Sequence, residues 1–326
     1  MQRRKIMSTL LSGAAALGAS TFTCNALAAP DSDYPKRPIH VIVPYAAGGV
    51  VDVQTRALTQ TLQGILKQPI VLEAKPGASG SIAAETVARA APDGYTLLVS
   101  ASFLINTPLM ESNLRWKMQD FTPIGRFSLS TSYFTVPMTS PAKTVREFVD
   151  MAKKASPPLQ YADGGIGTPQ SMSTMMFRTA AGIPLEMVMY KGAPPAIPDL
   201  INNRVSMSIL PSAVAIPQIN GKKLRVLANI SDTRSNELPG VPTFAEAGFP
   251  EATAVSWYGL HAPTGTPQVI IQKLEAAMRE ATATEEVKKR LIAAAGEEAF
   301  MGTKEFTTFI ETDVQRWTKM MKAIQR

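Results

Sequence analysis

The sequence predicts an α/β protein of two domains, on three observations. An apolar run, His40 to Pro44, passes through a glycine turn, Tyr45 to Gly49, into an amphipathic stretch. That stretch carries Val51, Thr55, Leu58, Leu62 and Ile65 on one helical face. The order strand, glycine loop, helix recurs from Leu159 to Ala181, with Asp163 to Ser171 as the loop. Two extended segments, Asp120 to Thr135 and Val255 to Ala262, read as crossings between the units. Domain I is therefore expected over 29–132 and 254–326, and domain II over 133–253. Each should hold a parallel-rich sheet, and the two crossings should form a hinge.

The first loop would lie at the carboxyl end of a strand, where open α/β sheets bind ligands. Gly48 and Gly49 let a ligand come close to the backbone, and unpartnered amides at a helix start favour an anion. An ordinary βα turn with no ligand explains the same residues equally well. The loop is neither G-x-G-x-x-G nor a P-loop, because Gly48-Gly49 is followed by Asp52 and no Gly-Lys-Ser/Thr ending is present. Asp52 sits where a carboxylate stabilises first-turn amides, a role that suits it better than catalysis.

The remaining elements follow in order. Gln68 to Glu73 is a strand, Lys75 to Gly80 a turn, and Ser81 to Ala91 a helix of small residues ended by Pro92-Asp93-Gly94. Tyr95 to Val99 is a buried strand that runs out into Ser100-Ala101-Ser102-Phe103, a second carboxyl end. This βαβαβ order implies parallel pairing. Thr144-Val145-Arg146-Glu147 is a capping box that opens a helix before Pro157-Pro158. Strands are expected at Leu159 to Ala162, Met187 to Tyr190, Val205 to Leu210 and Leu224 to Ile230. Helices are expected at Met172 to Ala181, at Ala196 to Asn202 and from Pro217. Thr243 to Glu246 is a second capping box. Thr266-Pro267 opens a helix with Ile270, Leu274 and Met278 on its buried face, and the last helix buries Phe306, Ile310, Val314, Trp317, Met321 and Ile324.

With 326 residues, 45% of them hydrophobic and 18% charged, the chain can build a sizeable core. The formal net charge of +7 includes Arg3, Arg4 and Lys5, and the rest of the excess is scattered. No basic helix or aromatic-basic platform is present, so nucleic acid is not an expected partner. Residues 1–28 read as a secretory signal peptide: a basic start, an apolar stretch from Leu10 to Ala19, and Ala26-Leu27-Ala28 as the cleavage site. The product is expected in the periplasm. The lone Cys24 leaves with the leader, which removes disulfide, thiol and cysteine–metal chemistry. His40 and His261 are too far apart in sequence to suggest a pair. No cofactor or metal is expected.

Over Tyr34 to the C-terminus the sequence resembles the Bug-type periplasmic solute receptors of the tripartite tricarboxylate transporters. The residues that carry the resemblance are Pro44-Tyr45-Ala46-Ala47-Gly48-Gly49 with Asp52, Lys75-Pro76-Gly77-Ala78, and Ala88 to Leu97. Tyr190-Lys191-Gly192, Val241-Pro242-Thr243, Glu246-Ala247-Gly248 and Trp257-Tyr258-Gly259 complete the set in the same order. The resemblance implies a monomeric, type II-like "Venus flytrap" that closes on a small organic carboxylate and delivers it to a membrane permease of two subunits. It places the ligand against Tyr45, Ala46, Ala47, Gly48, Gly49 and Asp52, and against Ala101 and Ser102. From the second loop it adds Gly165, Ile166, Gly167, Thr168, Gln170 and Ser171, with Tyr190 and Leu210 beyond.

The chain departs from the family at two of these places. Ser171 stands where a histidine is usual, and Leu210-Pro211 where an acid–amide pair often follows the strand. Met172, Met175, Met187, Met189 and Met207 add apolar volume nearby, most of it expected as core filler. Losing polar groups from a cleft favours a ligand with an apolar body, such as an aromatic or medium-chain dicarboxylate, over citrate. Two rival readings remain at this level: a receptor that senses the ligand for a signalling partner, and a periplasmic enzyme using Ser102 or Ser171. Neither serine lies in G-x-S-x-G or has a histidine near it in sequence.

Overall fold

The computed structural model describes residues 33–164, 168–190 and 192–324. The leader lies outside them, as do Gly165, Ile166 and Gly167 of the second loop. The chain opens as a βαβαβ unit: β1 (Ile39–Val43), α1 (Val50–Leu66), β2 (Ile70–Ala74), α2 (Ser81–Ala88) and β3 (Thr96–Ser100). β1 pairs parallel with both β2 and β3. Covered on both faces, it buries Val41, Ile42 and Val43 together, so the strand reads as a continuous apolar run. α3 (Phe103–Met110) comes next, and β4 (Phe121–Ser130) runs through Thr131 into β5 (Ser132–Pro137). Here the chain leaves one sheet for the other.

The second sheet is built from α4 (Val145–Lys154), β6 (Leu159–Asp163), α5 (Pro169–Ala181), β7 (Leu185–Met189), α6 (Ile197–Ile201), β8 (Met207–Pro211), α7 (Ser212–Asn220) and β9 (Leu224–Asn229). The chain returns through β10 (Ser256–Pro263), then α8 (Gln268–Ala283), α9 (Glu285–Ala293), β11 (Glu297–Gly302) and α10 (Thr303–Ile324). The strand orders are β11-β4-β10-β3-β1-β2 and β7-β6-β8-β5-β9. Both sheets are mixed. β6 pairs parallel with β7 and β8, as β1 does with its neighbours. The crossing strands β4, β5 and β10 reverse the direction, so their pairings are antiparallel.

One apolar cluster joins the two sheets. Phe134 on β5 packs against Phe148, Phe177 and Phe244 at centroid distances of 5.1, 5.2 and 5.6 Å. The same cluster takes in Trp257 of β10 and Phe306, Ile310 and Trp317 of α10. Trp257 meets Phe306 edge-on at 5.3 Å, and its buried Nε1–H donates to Asp313 Oδ2 at 3.1 Å. Burial raises the Asp313 carboxyl, against the lowering effect of that bond.

The capping boxes differ from expectation in instructive ways. Thr144 Oγ1 accepts from Glu147 N at 3.2 Å and starts α4, but the Glu147 carboxylate reaches back to Lys143 N, at 2.7 Å, not to Thr144. Thr243 and Glu246 close the reciprocal pair at 2.8 and 3.1 Å, yet the chain makes only a turn before Gly248, at φ +93°. The box satisfies amides in a turn as well as in a helix.

Candidate functional site

The first loop leaves β1 at Pro44. Tyr45 turns its ring edge-on to Phe103, 6.2 Å away. Gly48 has φ +79°, a conformation few other residues take without strain. Its N–H donates to Asp52 Oδ2 at 2.9 Å, and Gly49 N–H donates to Ala46 O at 3.2 Å. Two of the loop's amides are thus already partnered. Asp52, 2% exposed, also accepts from Arg56 Nε at 2.9 Å and Nη2 at 3.1 Å. Burial alone would raise its carboxyl, but the Arg56 and Gly48 hydrogen bonds outweigh it and hold it below its ordinary value. Asp52 therefore faces inward as the brace of the loop.

Ser102 closes the end of β3 and starts α3. Its carbonyl accepts from Ile105 N at 3.0 Å and Asn106 N at 2.9 Å. α3 is absent from the sequence expectations because Phe103, Leu104 and Ile105 are all buried, so no polar face marks the helix. In the second loop Thr168 caps α5, its Oγ1 accepting from Ser171 N at 3.2 Å, with Pro169 at the first helical position. Gln170 Nε2 donates to Ser132 Oγ at 2.8 Å, which ties this loop to the first crossing. Ser171 is buried, and its Oγ finds no hydrogen-bond partner among the described residues.

These pieces meet at a cavity of about 190 Å³. Its walls are Tyr45 from the first loop, Ser102 and Asn106 from the start of α3, Thr168 and Pro169 from the second loop, and Ser79. Phe103, Thr107, Met110 and Glu111 complete it. No lysine or arginine lines it among the described residues. Of the expected site residues, the structure brings Tyr45, Ser102 and Thr168 together here. Ala101 is buried just behind, and Gly48 opens instead on a hollow of about 390 Å³ shared with Val50, Ser212, Glu237 and Ala295. Ser79, Asn106, Met110 and Glu111 escaped the sequence reading. A signal existed for Ser79: it and Ala78 hold φ of +51° and +45°, inside a turn already marked by Gly77 and Gly80.

Tyr190 and Leu210 are placed elsewhere. The Tyr190 hydroxyl donates to Asp199 Oδ2 at 2.7 Å. Leu210 is fully buried among Tyr133, Ala162, Leu200 and Ala215, opposite Tyr133 in the β5–β8 register. β8 is covered on both faces, so Met207 and Ile209 enter the large cluster while Leu210 enters the smaller one, and its side chain is core. Of the methionines, Met172 and Met207 are core, whereas Met187 and Met189 are 45% and 49% exposed on the edge strand β7.

Neither histidine serves the cavity. His40 Nδ1 bonds Glu73 Oε1 at 2.5 Å on the β1–β2 pair. His261 is buried against Phe306, and burial pushes it down to about 3. Among the described residues no cluster of histidine, cysteine and carboxylate could hold a metal, and no helix is long and apolar enough to cross a membrane.

The model of the tripartite tricarboxylate transporter family receptors matches residues 54–325. The chain belongs to that family. BugT of Bordetella pertussis is 34% identical over 91% of this receptor and 92% of its own length. A solute-binding protein from Polaromonas superposes with a TM-score of 0.79 at 28% identity, over 89% of the receptor and 99% of that chain. An R. palustris protein solved with adipate gives 0.77 at 27%, over 90% and 98%. MatC from Rhodopseudomonas palustris, with bound malate, gives 0.72 at 28%, over 88% and 99%. The receptor therefore has the two-sheet periplasmic binding-protein fold, and its family consists of solute receptors, not enzymes.

Proposed function

We propose that the receptor captures a small dicarboxylate in the cavity between its two loops and presents it, unchanged, to a two-subunit membrane permease. The convergence of Tyr45, Ser102 and Thr168 on one enclosure carries this reading. With no cation in the wall among the described residues, an anion there depends on hydroxyls, the Asn106 amide and backbone N–H groups. The cavity is smaller than the roughly 300–1,000 Å³ of most ligand sites, and it combines that polar end with Tyr45, Phe103 and Met110. A short acid with an aliphatic body suits both. The relatives solved with adipate and malate support the class. Ala46, Ala47 and Thr168 would supply the amides, with Gln170 and Ser171 behind them.

Residues 29–132 with 254–326 act as one lobe and 133–253 as the other, closing about the crossings at Thr131 and Thr253 to Val255. The leader, residues 1–28, directs export, which puts capture in the periplasm. No reaction is assigned, because both histidines are committed away from Ser102 and Ser171.

Calorimetry with adipate, malate, terephthalate and citrate tests the reading, with small-angle scattering on the same samples. Adipate or malate should bind, and the radius of gyration should fall on binding. Ser102→Ala with Thr168→Val should weaken binding about tenfold or more, equivalent to ~1.4 kcal/mol. Binding of citrate alone, or equal affinity in the double variant, would remove this cavity from consideration.

A further inference from the structure

Among the described residues, the two sheets end in four edge strands: β2 and β11 in the first, β7 and β9 in the second. An open edge offers N–H and C=O groups to another strand, and proteins block it with charge, proline or a bulge. Three of the four are blocked. β2 lies between Pro69 and Lys75-Pro76. β11 begins Glu297-Glu298 and has an irregular register. β9 follows Lys222-Lys223, carries Arg225, and is met at its end by the bridge between Asn229 and Thr243. β7, Leu185-Glu186-Met187-Val188-Met189, has Glu186 as its one charge, no proline and an unbroken register.

The register pairs Val188 with Ala162 and Met189 with Asp163, and Tyr190 N–H donates to Asp163 O at 2.8 Å. In a parallel pair, alternate residues turn both backbone groups to the neighbouring strand. Glu186, Val188 and Tyr190 therefore face β6, and Leu185, Met187 and Met189 face away from it. Leu185 O is taken by Arg178 Nη1 at 3.2 Å. Met187 and Met189 keep N–H and C=O open, and their half-exposed side chains share one face of the sheet. We propose that this edge pairs with β7 of a second copy of the receptor, antiparallel about a two-fold axis at Val188. That register uses the open groups alone: Met187 exchanges two hydrogen bonds with Met189 of the second copy, and Met189 two with its Met187. An axis at Met187 would call on Leu185 O, which Arg178 already holds. The four methionines then cover one another, Val188 meets Val188 at the axis, and Glu186 stands opposite Tyr190, so no like charges face each other. A contact this short buries less than the roughly 1,200–2,000 Å² of a stable complex, so the dimer forms at high protein concentration. It does not depend on what the loop cavity binds.

The test is sedimentation equilibrium from micromolar to millimolar protein, with amide hydrogen exchange on the same samples. The mass should rise toward twice that of the monomer. Exchange at Met187 and Met189 should slow severalfold as concentration rises, while Val188, already bonded to β6, should not change. Met187→Lys places a charge on the edge at an exposed position, and it should restore the monomer with the unfolding temperature unchanged. Val71→Lys, at an exposed position on β2, should leave association intact. A monomer at every concentration, the result for an edge that serves only a different protein, would overturn the proposal. So would exchange at Met187 and Met189 that ignores concentration, association that survives Met187→Lys, or its loss in Val71→Lys.

Discussion

Asp52 shows how much one buried carboxylate decides in the first loop. It takes the Gly48 N–H and two Arg56 donors, so it fixes which amides stay free. Asp52→Asn keeps the shape and loses the charge. At neutral pH it should cost about 1–2 kcal/mol, the low end for charged hydrogen bonds because Arg56 stands half in solvent. The folded carboxyl titrates below its ordinary 3.8, so the stabilisation is complete above that value and is lost as pH falls through the folded one. Urea titrations of parent and variant should converge in acid and differ at neutrality. Gly48 and Gly49 were legible as a turn, but the sequence does not show that their amides are spent internally. A Cβ on Gly48 would meet no protein atom within 4 Å, so a larger residue there is opposed by backbone strain at φ +79° and not by packing.

At the scale of elements, the parallel strands and amphipathic helices were readable because burial on one or both faces leaves a period in the sequence. α3, α9 and β11 were not. α3 buries Asn106 and Thr107 along with its apolar residues and holds Pro108 inside it, so no amphipathic period marks it, and β11 is a partly exposed strand beginning Glu297-Glu298, joined to β4 through an irregular register between Glu298 and Met301. β8 was found, but a strand buried on both faces has no alternation to show which way Leu210 points. That sets a clear expectation. Leu210→Asp places an unpaired charge in the cluster with Tyr133 and Leu200, and it should unfold the second sheet instead of repelling a ligand. Leu210→Ala should cost about 2–5 kcal/mol with ligand affinity unchanged. A Leu210→Ala variant of full stability but altered affinity would restore the residue to the site.

For the whole molecule, the junction between the sheets is partly polar and titratable. Ala295 O accepts from Ser130 Oγ and Ser212 Oγ, at 3.1 and 3.3 Å. Beside it, Glu297 of β11 accepts from Ser235 Oγ and Asn236 N, both at 3.3 Å, while Tyr133 donates to Ser235 at 2.8 Å and lies 3.4 Å from Glu237. Burial raises the Glu237 carboxyl; Tyr133 opposes the shift and Glu297 adds to it. The folded state therefore holds this proton more tightly than the unfolded chain. Its contribution is complete below the ordinary 4.5 and is lost as pH rises through the folded value. Unfolding temperature should decline across that window in the parent, and less in Glu237→Gln. Equal slopes would show that folding does not raise the Glu237 carboxyl. None of this was legible in advance, since residues 133, 235, 237 and 297 meet only once the chain has crossed twice.

The aromatic chain from the loop cavity has an optical consequence. The receptor has three tryptophans, all buried: Trp116, Trp257 and Trp317. Trp257 and Trp317 belong to the cluster between the sheets. Trp116 stands 6.3 Å from Phe103, whose other neighbour, at 6.2 Å, is Tyr45 in the cavity wall. Emission should be blue overall, and a ligand that moves Tyr45 should perturb the Trp116 fraction of it directly. Trp116→Phe should then erase most of the ligand-dependent change while preserving the constant signal of the other two indoles. A single fluorophore would report occupancy without any label.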